Sequence, residues 1–139
     1  MNSQTASPAA NVELVRAGFR AFNGGDADEC LSYVAPDLVI NLAELPAPQH
    51  GRETWRDGYE MMRDAFPDLE ADIEDIVAAQ DKVAVRVRFR GTHSGEFLGI
   101  PGTGRAVEYI SHEFYRIDGG LIAEEWICSD MATLLRQLT

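Results

Sequence analysis

Two long alternating runs, AVEYISHEFYRI at 106–117 and LIAEEWICSD at 121–130, flank a tight Asp118-Gly119-Gly120 turn. Alternation at period two is the mark of a strand with two unlike faces. In the first run Val107, Tyr109, Ser111, Glu113 and Tyr115 share one face, and Ile110, His112 and Phe114 share the other. A third run precedes them, with Val83, Val85, Val87 and Phe89 facing one way and Arg86, Arg88 and Arg90 the other. Three long strands in succession imply an antiparallel, strongly curved sheet rather than a parallel one.

Helical patterns precede the strands. Asn11 reads as an N-cap ahead of Val12, Val15, Phe19 and Phe22, and Asn23-Gly24-Gly25 stops that helix. Asp26 caps a short second helix running through Val34, which Pro36 ends, and Asp37–Ala43 reads as a strand followed by the loop LPAPQHG. A third helix starts near Arg52, sets Trp55, Tyr59, Met62 and Phe66 on one face, and stops at Pro67. Leu69, Ala71 and Ile73 then alternate with Glu70, Asp72 and Glu74, and Gln80-Asp81 turns the chain into the arginine-bearing strand. A LLRQL helix closes the chain. Helices first and adjacent long strands later give an α+β fold, with the amphipathic helices on the concave side of the sheet.

At 139 residues and 45% hydrophobic content, the chain is read as one domain spanning 11–139, with residues 1–10 as a flexible tail. No apolar run reaches the length of a membrane span, and MNSQTASPAA lacks the build of a signal peptide, so a soluble protein is expected. A net charge of −11 argues against nucleic acid, whose phosphates need a basic surface. Cys30 and Cys128 are far apart and outside any metal-ligand spacing, as expected of reduced thiols in a cytoplasm. Three dispersed histidines without HxH or HxxxH spacing point to no metal site.

The segments AFNGGD, APDLVIN, HGRETW, AFPDLEADIEDIVAAQDKVAVRVRFRGTHSGEFLGIPGTGR, YRIDGGLIAEEW and DMATLLRQL, in this order and spacing, resemble the SnoaL-like polyketide cyclase family. The resemblance covers nearly the whole chain. It implies the nuclear transport factor 2-like fold, a cone-shaped α+β barrel with its curved sheet wrapped around helices and a deep pocket inside. It also implies a homodimer through the outer face of the sheet. The aldol-type cyclases of the family use a histidine on the penultimate strand and an aspartate on the last. Alignment puts Glu113 at the histidine position and Ile127 at the aspartate position, so this sequence departs from the pair. A first-strand asparagine of those cyclases has its counterpart in Asn41.

Candidate site residues follow. Glu113, held among aromatic and apolar groups, is a carboxylate whose desolvation raises its pKa and makes it a base or acid; an ion-paired strand glutamate is the alternative. His112, on the other face, is excluded from a site shared with Glu113. Asp130 is either a carboxylate at the cavity rim or the cap of the closing helix. Trp126 reads as a core or pocket-wall aromatic whose indole N–H orients a carbonyl. His93, at the mouth of the glycine-rich loop, either meets substrate or pins the loop, and His50 contacts the pocket or its lid. Tyr109, Phe19 and Tyr59 are core aromatics by spacing that can also line a pocket for a flat ligand. The loop SGEFLGIPGTGR lacks the pattern and strand-to-helix setting of a phosphate cradle and reads as a hairpin connection or lid.

The expected function is cofactor-free acid/base cyclisation of a polyketide-like hydrophobic or aromatic carbonyl compound, with Glu113, Asn41 and Asp130 as the catalytic set. A hydroxylase-type family member and a non-catalytic ligand-binding or dimerisation module are the alternatives.

Overall fold

In the computed structural model, residues 7–139 are described. Helix α1 (Pro8–Asn23) is capped by Ser7, whose Oγ accepts from the Ala10 N–H at 3.0 Å, and Pro8 sits where a missing N–H costs nothing. The cap expected at Asn11 is therefore displaced. Asn11 is buried inside the helix, and its side-chain amide donates to the Gln80 carbonyl at 3.4 Å. Residues 8–10, assigned to the tail, are helical, and the tail at 1–6 lies outside the described residues.

Helix α2 (Ala27–Ser32) has the expected Asp26 cap, Oδ1 accepting from the Glu29 N–H at 3.0 Å. It stops before Pro36, because strand β1 (Val34–Leu42) has already begun. Pro36 lies where β1 slips in register against its neighbour, between Val34 and Val39. A residue with no N–H to offer the ladder is tolerated at such an irregularity. Strand β2 (Gln49–His50) forms inside the expected loop as a two-residue edge on β1. Helix α3 (Arg52–Ala65), β3 (Glu70–Ala79), β4 (Lys82–Thr92), β5 (Ala106–Asp118), β6 (Leu121–Ser129) and α4 (Met131–Gln137) complete the chain.

The sheet order is β2-β1-β6-β5-β4-β3, antiparallel throughout except for the parallel β1–β6 pair. The β4–β5 ladder runs unbroken from Lys82 opposite Arg116 to Thr92 opposite Ala106. Val83, Val85, Val87 and Phe89 are buried on its inner face, as the alternation requires. Outside, Arg86 and Arg88 reach Glu74, and Arg88 and Arg90 reach Glu108, in solvent-screened pairs that add little to stability.

Leu38, Phe66, Leu69, Phe97 and Leu134 are almost completely buried between the inner face and the helices, at about 1.5–3 kcal/mol for each large apolar side chain. Two polar groups fasten the helices to this core. Asn23 lays its amide against edge strand β3, donating to the Ala71 carbonyl (2.9 Å) and accepting its N–H (2.8 Å). Arg63 of α3 donates to the carbonyls of Phe22 and Leu69 and lies over the Phe22 and Tyr59 rings.

Candidate functional site

Gly119 and Gly120, with φ of 59° and 78°, make the two-residue turn that folds β6 back on β5. Asp118 then faces Leu121 and Ile117 faces Ile122, but Arg116 faces Glu124, so one extra residue, Ala123, is accommodated in β6. Beyond this bulge the inward positions of β6 are Glu125, opposite Tyr115; Ile127, opposite Glu113; and Ser129, opposite Ser111.

The result is a polar cluster sunk in an apolar face. Glu113 and Glu125 are 4% and 3% exposed, and Ser111 is fully buried. Glu113 accepts from the Tyr115 hydroxyl through one oxygen and from Ser111 Oγ, at 2.7 Å, through the other. Ser111 Oγ is in turn 3.0 Å from Ser129 Oγ, which reaches the half-buried end of β6. Glu125 Oε1 is buried with no hydrogen-bond partner among the described residues.

The two carboxyls differ in what steadies a charge. Burial raises the pKa of Glu113, while the Tyr115 and Ser111 hydroxyls act the other way by stabilising the anion. Glu125 has no such donors; burial, and then the nearby charge of Glu113, push it up to about 8. Two carboxyls sharing one low-dielectric site do not both ionise at neutral pH, and the better-solvated one ionises first. The hydroxyl donors therefore favour the anion at Glu113, and burial beside that charge favours the protonated form at Glu125. Burial and the Glu113 charge hold the Tyr115 phenol well above its ordinary pKa, so it stays a donor.

Glu113 lies where the alternation put it, and exposed His112 lies on the opposite face. Tyr109 is buried on the Glu113 face, stacked on Phe89 at 5.2 Å. Phe19 of α1 stands edge-on to Tyr115, with ring centroids 6.3 Å apart. Tyr59 is buried against Trp55 and Phe22, farther along the helical layer.

Asn41 and Trp126 are not brought to Glu113. Asn41 pairs with Trp126, and Trp126 with Phe114, which puts both on the outer face. There the Asn41 amide donates to Glu124 Oε2 and to the Glu125 carbonyl, both at 3.0 Å. The pocket-wall reading of Trp126 fails because the bulge shifts the phase of β6 by one residue.

Asp130 is exposed and caps α4, accepting from the Thr133 N–H (3.1 Å) and hydroxyl (2.6 Å), which lower its pKa. His50 is exposed on edge strand β2. His93 is fully buried, its Nδ1 accepting from the Thr103 N–H at 3.2 Å and lying 2.9 Å from Thr103 Oγ1. That contact pins the two ends of the β4–β5 loop together, and His93 Nε2 is buried without a partner among the described residues. Within the loop, Phe97 and Ile100 bridge each other, and Phe97 packs on Phe66 at 5.3 Å.

A cleft of about 200 Å³ opens between α1 and β3, and another of about 550 Å³ between the β3–β5 rim and Gln137; Glu113 lines neither of these. Glu125, the residue the sequence reading missed, was hidden by the bulge. A buried glutamate is costly unless something compensates it, so its position opposite Tyr115 is the signal that marks the site.

Comparison with known proteins agrees with this architecture. The model of the SnoaL-like polyketide cyclase family matches residues 12–138. Aklanonic acid methyl ester cyclase DnrD of Streptomyces peucetius is 29% identical over 136 residues, covering 91% of this chain and 89% of that protein. IdmH of Streptomyces antibioticus, a proposed polyketide cyclase, is 39% identical and superposes with a TM-score of 0.82, over 92% of this chain and 97% of IdmH. AclR of Streptomyces galilaeus, a proposed hydroxylase, is 29% identical with a TM-score of 0.86, over 95% of this chain and 82% of AclR. A six-stranded curved sheet with four helices and a family match over nearly its whole length identify the chain as a member of the SnoaL-like polyketide cyclase family.

Proposed function

We propose that this protein closes a ring in a polyketide-like carbonyl compound by cofactor-free acid/base chemistry, with Glu113 as base and Glu125 as acid. The observation that carries the reading is the buried pair itself. One carboxylate is held by two hydroxyl donors, and the other has an unpartnered oxygen on the same inner face. Glu113 removes a proton from the carbon beside a carbonyl, and the resulting enolate carbon attacks a second carbonyl of the same chain. A C–C bond forms, the second C=O π bond breaks, and its oxygen takes the proton of Glu125. The cycle leaves Glu113 neutral and Glu125 charged, so one proton must return between them before the next turnover. The low-dielectric surroundings strengthen each of these interactions.

The same reading fixes a pH profile. Turnover needs Glu113 ionised and Glu125 protonated, giving a bell whose alkaline limb lies near pH 8. Glu125→Gln keeps the shape and a hydrogen-bond donor but supplies no proton. Turnover of a polyketide carbonyl substrate is expected to fall by about 10²–10⁴-fold, with loss of the alkaline limb. Glu113→Gln is expected to lose activity at every pH, and undiminished turnover in that variant would sink the mechanism.

The likeness to AclR favours a second reading, hydroxylation of an aromatic polyketide. Oxygen uptake stoichiometric with product would select it over ring closure. We further propose a homodimer through the outer sheet face, where Phe114 is 50% exposed beside Trp126, in a cytoplasmic setting that keeps Cys30 and Cys128 as free thiols. Light scattering of wild type and Phe114→Glu tests the dimer; an unchanged mass would overturn that assignment.

A further inference from the structure

The sequence holds twelve lysines and arginines. Ten of them reach an oxygen acceptor on a carboxylate, hydroxyl or backbone carbonyl. The remaining two, Arg16 and Arg20, make no hydrogen bond or ion pair with any of the described residues. They are also neighbours, one turn apart on α1, so both guanidiniums project from the same flank of the helix. Both line the cleft of about 200 Å³ between α1 and edge strand β3.

The other groups around this cleft leave recognition to the arginines. The Asn23 amide is committed on both sides to the Ala71 backbone. Asp72 is the one carboxylate in the lining; its side chain is mostly exposed, and its Oδ2 lies 3.8 Å from Arg90 Nη1. Phe19 supplies an apolar wall. Its ring stands edge-on to Tyr115, whose hydroxyl donates to Glu113. Two aromatic rings thus separate the cleft from the buried carboxyls. In a chain of net charge −11, two uncompensated guanidiniums in a concave site form a local anion trap.

We propose that this cleft is an anion-recognising subsite in which Arg16 and Arg20 hold the carboxylate of an aromatic ligand whose ring lies against Phe19. Each guanidinium offers a planar fork matched to a carboxylate, which a lysine in its place would not. The inference rests on the proposed function only in treating the ligand as substrate or product; the charge preference stands without it.

The test uses 2-naphthoate and its uncharged counterpart 2-acetonaphthone as probes, with affinities measured by fluorescence and the site located by amide NMR shifts. Wild type is expected to bind naphthoate about tenfold more tightly than the ketone, with shifts centred on 16–23 and 71–73. Raising salt from about 50 to about 500 mM should weaken naphthoate alone. Arg16→Gln/Arg20→Gln should abolish the preference, Arg16→Lys/Arg20→Lys should keep part of it, and Glu113→Gln should keep all of it. Equal affinities, undetectable naphthoate binding, a preference that survives the double glutamine variant, or one lost in Glu113→Gln would each overturn the proposal. Arg20 is exposed and Arg16 half-buried at the cleft, neither in the core, so the variants should fold, and far-UV circular dichroism checks this. Because the probes do not react, failure here is distinct from failure of Glu113→Gln in turnover.

Discussion

Glu125→Gln should make the protein more stable in alkali, by an amount that follows from where Glu125 sits. Its carboxyl is buried, has an oxygen without a partner among the described residues, and is pushed up to about 8 from an ordinary 4.5. A raised carboxyl pKa means that the native state keeps a proton the unfolded chain has released. Stability from this group is therefore complete below pH 4.5 and is lost as pH rises toward 8. At 1.36 kcal/mol per pKa unit, the whole span is worth about 5 kcal/mol, of which about 4 kcal/mol falls between pH 5 and pH 9. That is a large share of the 5–15 kcal/mol typical of a domain. Glu113, also raised by burial, adds a loss of the same sign. The neutral amide removes the Glu125 share, so urea midpoints from pH 5 to 9 should fall less steeply in Glu125→Gln than in wild type. In thermal melts the gap at pH 9 should reach roughly 10 °C. Parallel pH profiles for the two proteins would show that Glu125 does not hold a proton in the folded state, and the donor role assigned to it would fall with that result.

Other consequences can be measured separately. Ser111→Ala removes a donor from Glu113, so the acid limb of the pH–rate profile should move to higher pH; an unmoved limb would mean that Ser111 does not steady the anion. Asp130→Ala strips the α4 cap and should lower the denaturation midpoint while leaving kcat unchanged; a large loss of kcat would return Asp130 to the catalytic set. Gly95→Ala would drive a Cβ into the backbone carbonyl of Asp64, where the β4–β5 loop docks on α3, and should cost about 1–3 kcal/mol. A melting temperature equal to wild type would show that the loop does not seat there. His93→Ala should raise protease cleavage within 94–104 by freeing the Thr103 end of the loop, and unchanged cleavage would deny that pinning role.

How far the sequence discloses this site depends on the regularity of each strand. β5 is thirteen residues long and regular up to Arg116, so its alternation placed Glu113 inward and His112 outward without reference to other elements. β4 was equally legible, its valines inside and its arginines outside. The start of the fold was less so. Asn11 has the chemistry of a cap, but Ser7-Pro8 offered a better one ahead of it, and the buried Asn11 amide is used instead to hold the β3–β4 turn. Pro36 looked like a helix stop because the strand it lies on, β1, is paired there through an irregular stretch of parallel ladder with β6, a segment remote in sequence. That Arg16 and Arg20 of α1 have no partner among the described residues was invisible for a related reason: which cations are paired is decided by tertiary packing.

The bulge at Ala123 connects these points to function. A two-residue Gly-Gly turn and a regular hairpin would set Trp126 opposite Glu113, leaving an indole beside that carboxyl and turning Glu125 out to the other face. One extra residue reverses this assignment. Ile127 moves opposite Glu113, Trp126 joins Phe114 and Asn41 outside, and Glu125 turns inward beside Tyr115. Side chains alternate with period two, so every inward position on β6 beyond the bulge depends on that single insertion. The isoleucine at the aspartate position then no longer implies a buried face with a single carboxyl. The second carboxyl enters from the neighbouring inward position, two residues earlier on the same strand. The chain therefore keeps two proton-carrying groups on one buried face while departing from the residue types the family resemblance led one to expect.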